Sequence, residues 1–187
     1  ARIARLNMYL HGDGGSCVYM TDALRPQPEP SPIDDSELQA DTKELRKKLD
    51  NGLRFDVVLT NPPFSKVYRV RNPEEKEIVD HYELLTYEGE KRKSLRASTM
   101  FIERYWNLLK PGGRLLMVIG DEVLGGGAFS FVRKFIRERF IIRAIISLHG
   151  DAFHQMGSRA KASILYLVKR GSAEEQPAVF VWESCHV

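Results

Sequence analysis

The sequence is poor in the residues that build metal sites and disulfide frameworks. Cys17 and Cys185 are the two cysteines among 187 residues, and they lie far apart; the five histidines do not cluster. That spacing matches no zinc or iron–sulfur ligand set, so no metal is expected and a reducing cytoplasm is the expected compartment. Long apolar runs are missing too. Nothing approaches the roughly 20 consecutive apolar residues of a membrane span, and no segment has signal-peptide form, so no membrane partner is expected. Nor is the charge one-sided. Lys and Arg number 28 against 25 Asp and Glu, a net charge of +3 that permits a nucleic-acid partner without demanding one. What remains, with 43% hydrophobic and 28% charged residues, is ordinary for one globular domain with a sizeable core.

The feature that carries chemistry is Asn61-Pro62-Pro63-Phe64, at the end of the apolar run Phe55-Asp56-Val57-Val58-Leu59-Thr60. The run is rich in β-formers and reads as a buried parallel strand. Asn61 then falls just beyond a strand's carboxyl end, where open α/β sheets bind ligands. Pro62 forces Asn61 into extended backbone, Pro63 does the same to Pro62, and both proline φ angles are fixed. The side-chain carbonyl of Asn61 and the backbone carbonyl of Pro62 are therefore two acceptors on a stiff backbone. Aimed at the exocyclic amino group of adenine or cytosine, they would draw its nitrogen towards tetrahedral geometry and stabilise the positive charge that develops as it attacks a methyl donor. Phe64 offers a face on which an extruded base can stack. The competing reading of the four residues is a proline turn that closes a strand.

Elsewhere the pattern alternates between helix and strand. Ala1–Leu10 reads as a helix already under way, with Ile3, Leu6 and Leu10 on one face and Gly12 as its stop, so a piece of a longer protein is expected. Ser16–Met20 reads as a short strand. Residues 25–36 carry Pro26, Pro28, Pro30 and Pro32 and read as an extended excursion. Ser36–Leu49 reads as a helix closed by Asn51-Gly52. Residues 65–94 are highly charged without periodicity and read as a long loop. Its basic end, with Lys91, Arg92, Lys93 and Arg96, could meet a phosphate backbone. Helices are predicted over 95–109 and 129–139, with Phe101, Tyr105, Leu108 and Leu109, then Phe131, Phe135 and Ile136, turned inward. Strands are predicted over 114–119, 141–148, 161–168 and 179–182. Such alternation gives an α/β doubly wound sheet, antiparallel at one end where no helix separates the last strands.

Several segments together resemble the adenine-N6 DNA methyltransferases, most closely the modification (M) subunit of type I restriction-modification systems. They are Phe55 to Phe64, Met100-Phe-Ile-Glu103 with Leu108 to Leu115, Ile119 to Gly127, and Ile145 to Leu148 followed by Ser163 to Lys169. The resemblance implies a Rossmann-like, S-adenosylmethionine-dependent fold, present in part. It implies direct methyl transfer from S-adenosylmethionine to adenine N6, with Asn61, Pro62, Pro63 and Phe64 as the catalytic motif. It also implies DNA, specificity and restriction subunits as partners. Asp22 fits the acidic residue that contacts the cofactor's adenine, though an ordinary loop aspartate would look the same. Phe153 fits a second aromatic near the flipped base, with core packing as its competing role.

The chain departs from that pattern in three respects. Gly120 stands where the family usually has proline. Residues 25–36 look like an insertion. The glycine-rich loop that cradles S-adenosylmethionine, and the acidic residue that would hold the ribose, have no counterpart here; Gly12 to Gly15 leads from helix to strand, the wrong direction. The expected fold is therefore the C-terminal part of a catalytic domain, over 1–187, with the first two strands absent. Open sheet edges would invite self-association, and cofactor binding by this chain alone would be weak or absent. Two other readings stay open. One is methylation of RNA guanine N2 or of protein glutamine, by families that share the Asn-Pro-Pro-aromatic motif; the other is a non-catalytic DNA-binding or assembly module.

Overall fold

A computed structural model describes residues 2–14, 17–29, 36–153, 161–172 and 174–184. Ser16, Pro30, Pro32 and Cys185 lie outside the described residues. The chain forms two compact units, Ala1–Leu53 and Arg54–Val187.

The first unit holds helix α1, Arg2–Leu10, and helix α2, Ser36–Asp50. Both end as their glycines predict. Gly12 has φ +85° and Gly52 φ +81°. In each case the next N–H reaches back across the last turn, Asp13 to the Met8 carbonyl and Leu53 to the Lys48 carbonyl, both at 2.9 Å. The predicted strand over 16–20 does not form: residues 17–20 are irregular. A strand needs a partner ladder, and side chains hold this segment instead. The Arg5 guanidinium donates to the Val18 carbonyl at 3.0 Å and pairs with Asp41 on α2. Tyr19 meets Glu44 and Lys48 of the same helix. Leu24, just before the proline-rich excursion, is buried, and in the described part of the excursion bends over 25–27 lead to a buried Pro28.

The second unit is built on a five-stranded sheet. In chain order its elements are β1 (Phe55–Thr60), β2 (Val67–Arg69), α3 (Pro73–Val79), β3 (Ser94–Arg96), α4 (Ala97–Leu108), β4 (Leu109–Gly120), α5 (Asp121–Gly125), α6 (Ser130–Arg139), β5 (Phe140–Ser147), β6 (Ala162–Lys169) and β7 (Phe180–Glu183). The sheet order is β1-β4-β6-β5-β7, and β2 pairs with β3 in a separate ribbon. β1 runs parallel to β4, β6 antiparallel to both β4 and β5, and β7 parallel to β5. The reversed strand is thus inserted between β4 and β5 rather than added at an edge. Its chain neighbour β5 lies beside it, so no helical crossover is needed.

Alternation fixes which face of the sheet is covered. Leu115, Met117 and Ile119 of β4 are fully buried, as are Leu167 of β6 and Phe140 of β5. Met100 and Ile102 of α4 and Phe135 of α6 complete that core. The intervening rows are half-open. β1 is an edge strand, and Leu59, in register with Leu116 and Tyr166, is 73% exposed. The strand expected to be buried is therefore bare on one face and one edge among the described residues. No helix among the described residues is long and apolar enough to cross a membrane.

The segment expected to be a long loop is folded. Asn72 caps α3, its side chain accepting the Glu74 N–H at 3.1 Å, with Pro73 in the first turn. Tyr68, Ile78, Val79, Tyr82, Leu84, Leu85 and Tyr87 are all buried. Two polar side chains tie the stretch down. Glu103 of α4 is buried, and its carboxylate accepts the N–H groups of Glu83 at 2.8 Å and Leu84 at 3.0 Å. Burial pushes the Glu103 carboxyl above its ordinary range, against those two hydrogen bonds. Arg92 donates to the carbonyls of Leu84, Tyr87 and Glu90, at 3.0–3.1 Å, and its guanidinium lies 3.7 Å from the Phe131 ring centroid.

Candidate active site

Asn61 emerges from the carboxyl end of β1. It is exposed, whereas Pro62 is buried. Among the described residues nothing hydrogen-bonds to the Asn61 side chain or to the Pro62 carbonyl. Neither acceptor of the motif is taken by a partner among the described residues, and Asn61 is the exposed one. The strand end that carries them is itself held. Thr60 Oγ1 and the Tyr105 hydroxyl are 2.5 Å apart, and Tyr105 stacks on Phe101 one turn earlier in α4, ring centroids 5.4 Å apart. Burial raises the Tyr105 phenol above its ordinary value. Sequence patterning placed Tyr105 on the inward face but gave no sign that its hydroxyl grips the residue before Asn61.

Phe64 is half-buried, and its ring meets that of Phe153 edge to face, with centroids 6.1 Å apart and planes at 86°. Phe153 follows β5, so two separate parts of the chain converge on the rim beside Asn61. Such a pair is worth about 0.5–1.5 kcal/mol beyond its buried area. A corner of two aromatic rings next to two unpartnered acceptors suits a flat, amino-bearing heterocycle: rings for its faces and edges, carbonyls for its NH2.

The basic residues divide by role. Arg92 is committed to three backbone carbonyls and a ring, so it holds its own loop together instead of offering its charge to a phosphate. Its partners are main-chain atoms, which leave no trace in the sequence. Lys91 and Lys93 are exposed. Arg96 pairs with Glu122 at 3.0 Å and lies 5.3 Å from the Phe129 ring centroid.

Asp22 belongs to the first unit, and its Oδ1 accepts the Leu24 N–H at 3.0 Å, closing an Asx turn. Among the described residues no glycine-rich strand-to-helix turn accompanies it in that unit. The donor set for S-adenosylmethionine is therefore incomplete in these residues.

A Rossmann-like sheet with an Asn-Pro-Pro-Phe motif on its rim defines the class as α/β methyltransferase. The chain belongs to the N-6 DNA methylase family, whose model matches residues 1–186. Among solved structures it is similar to the methyltransferase subunit of a type I restriction-modification system from Streptococcus thermophilus, at 22% identity and a TM-score of 0.60, covering 91% of this chain and 31% of that one. It is similar to the M protein of the type I restriction enzyme EcoKI, at 19% identity and a TM-score of 0.58, covering 97% and 32%. A Listeria monocytogenes protein assigned to the class I S-adenosylmethionine-dependent methyltransferases gives 24% identity and a TM-score of 0.57, covering 97% and 54%. At these identities the likeness concerns the fold. The chain spans about half of the last structure and about a third of the other two. No curated protein sequence matches this chain.

Proposed function

We propose that this chain is the target-base half of an adenine-N6 DNA methyltransferase, the modification subunit of a restriction-modification system. The observation that carries the reading is the rim itself: an exposed Asn61 and a Pro62 carbonyl without partners, beside the Phe64–Phe153 corner. An extruded adenine stacks against Phe64, with Phe153 flanking it. Its N6 hydrogens donate to Asn61 Oδ1 and to the Pro62 carbonyl. Those two bonds localise the lone pair on N6 and stabilise the positive charge that the nitrogen acquires. Both acceptors are fixed before the base arrives, so little reorganisation is needed. S-adenosylmethionine, when bound in the complete protein, supplies an electrophilic methyl group. Asp22 is the residue of this chain that would contact its adenine, and the rest of that site is proposed to lie outside this sequence. No cysteine nucleophile is required, since the amino nitrogen attacks directly.

DNA is the proposed substrate, and separate specificity and restriction subunits are the proposed partners; the structural neighbours that are type I subunits support this. Methylation of RNA guanine N2 or of protein glutamine is the alternative enzyme reading. Radiolabelled methyl transfer by the full-length gene product to DNA, RNA and protein decides between them. Label in DNA, recovered as N6-methyladenine, is the expected result. Label confined to RNA or protein would replace the reading, and no label in any acceptor would leave a binding or assembly role.

A further inference from the structure

Beside the target-base rim lies a groove of about 570 Å³ whose lining includes Val67, Lys93, Arg96, Phe129 and Phe131. Its lining is both basic and aromatic. It is also close to the motif. Val67 stands three residues beyond Phe64, at most about 11 Å of chain, and the Ala97 N–H that follows Arg96 bonds to the Lys66 carbonyl at 2.8 Å. The groove's chief cation, Arg96, faces an acid at the same rim, Glu122, with both side chains about 40% exposed. An ion pair that open contributes at most about 1 kcal/mol, so a stronger anion displaces it.

Gly120 leaves room for the acid of that pair. It caps α5 with φ −69°, a conformation any residue can adopt, yet a Cβ there would overlap the Glu122 carboxylate where it now lies. The Glu122 carboxylate that meets Arg96 occupies the space a side chain at 120 would need.

We propose that this groove seats a backbone phosphate of the target strand next to the extruded base, with Arg96 and Lys93 as its ligands, and that Glu122 is a built-in competitor which the phosphate displaces. A neighbouring sugar or base edge rests on Phe129. The proposal rests on the DNA-methyltransferase reading and deepens it. Glu122 lowers affinity for any backbone and so favours release of DNA that lacks an extruded base to hold it in place.

The test is a titration of a short DNA duplex into the full-length protein, read by fluorescence anisotropy at several salt concentrations. Glu122→Gln should bind about fivefold tighter, with a log–log salt slope close to that of the wild type, because the same phosphate is neutralised once Glu122 has been displaced. Gly120→Ala should shift affinity in the same direction, by pushing the carboxylate aside. Arg96→Gln should flatten the slope by up to about 0.9, one phosphate's worth, and Lys93→Gln by a smaller share of the same increment. The double variant Arg96→Gln/Glu122→Gln should match Arg96→Gln alone, because Glu122 acts through Arg96. If Glu122→Gln strengthens binding equally in both backgrounds, the effect is general charge and the proposal is overturned. Unchanged slopes for Arg96→Gln and Lys93→Gln overturn it as well. Wild-type methylation measured alongside separates this failure from failure of the functional reading: a groove that is inert in a protein that methylates DNA sinks the groove alone.

Discussion

Phe64 and Phe153 come from distant parts of the chain, yet their rings meet at 86° with centroids 6.1 Å apart. In the proposed function this corner receives the extruded adenine. Stacking of a base on an aromatic ring is worth about 1–3 kcal/mol. Phe64→Ala in the full-length protein should therefore weaken capture of the flipped base by roughly 5- to 150-fold, and Phe64→Tyr should restore most of it. Phe153→Ala should cost less, since its ring supports Phe64 at the edge. The fluorescence of 2-aminopurine at the target position reports base extrusion directly.

The bond between Thr60 and Tyr105 predicts a positioning effect one residue before the clamp. Tyr105→Phe removes a partly buried hydrogen bond, and about 0.5–1.5 kcal/mol of stability should go with it in urea unfolding. Because the end of β1 loosens, kcat for methyl transfer should fall more than KM rises. A variant that loses stability while keeping wild-type kcat would confine Tyr105 to a packing role.

Much of this was legible in the sequence, and the exceptions share a cause. The strands over β1, β4, β5, β6 and β7 declared themselves through β-branched and apolar runs, and the two helix stops through Gly12 and Gly52. The Asn-Pro-Pro-Phe motif needed only its strand context to point at an amino group. Residues 65–94 did not declare their structure. Their buried residues are scattered between a short strand, a short helix and tight turns, so no single period emerges, and the Glu103 and Arg92 clasps bind main-chain atoms that every sequence possesses. Ser16–Met20 carried strand-forming residues without the partner a strand requires. Phe153 was indicated by family resemblance alone, since no local pattern reveals which aromatic closes on Phe64.

Glu103 sets a pH dependence whose sign can be stated. Burial raises its carboxyl above the ordinary 4.5, so between that value and its raised one the folded protein holds a proton that the unfolded chain has released. The contribution is complete below pH 4.5 and is lost as pH rises through the raised value, so stability should decline with increasing pH in that window. Glu103→Gln should remove the decline. It should also lower stability near neutrality by about 1–3 kcal/mol, because one amide oxygen cannot satisfy both the Glu83 and Leu84 N–H groups. Urea midpoints across pH for both proteins provide the check.

Cofactor affinity divides between this chain and the complete protein. In the proposed reading the described residues supply Asp22 and little else of the cofactor site, so a calorimetric titration of the isolated chain with S-adenosylmethionine should show weak binding or none. Low-micromolar binding would mean that these residues form a cofactor site by themselves.

The most direct measurement is the methylation activity of Asn61→Ala in the full-length protein, with its fold monitored by circular dichroism and thermal melting. Asn61 is exposed and has no partner among the described residues, so the substitution should leave the melting transition unchanged and abolish formation of N6-methyladenine in DNA. Full activity in a folded Asn61→Ala protein would contradict the claim that this amide grips the target amino group.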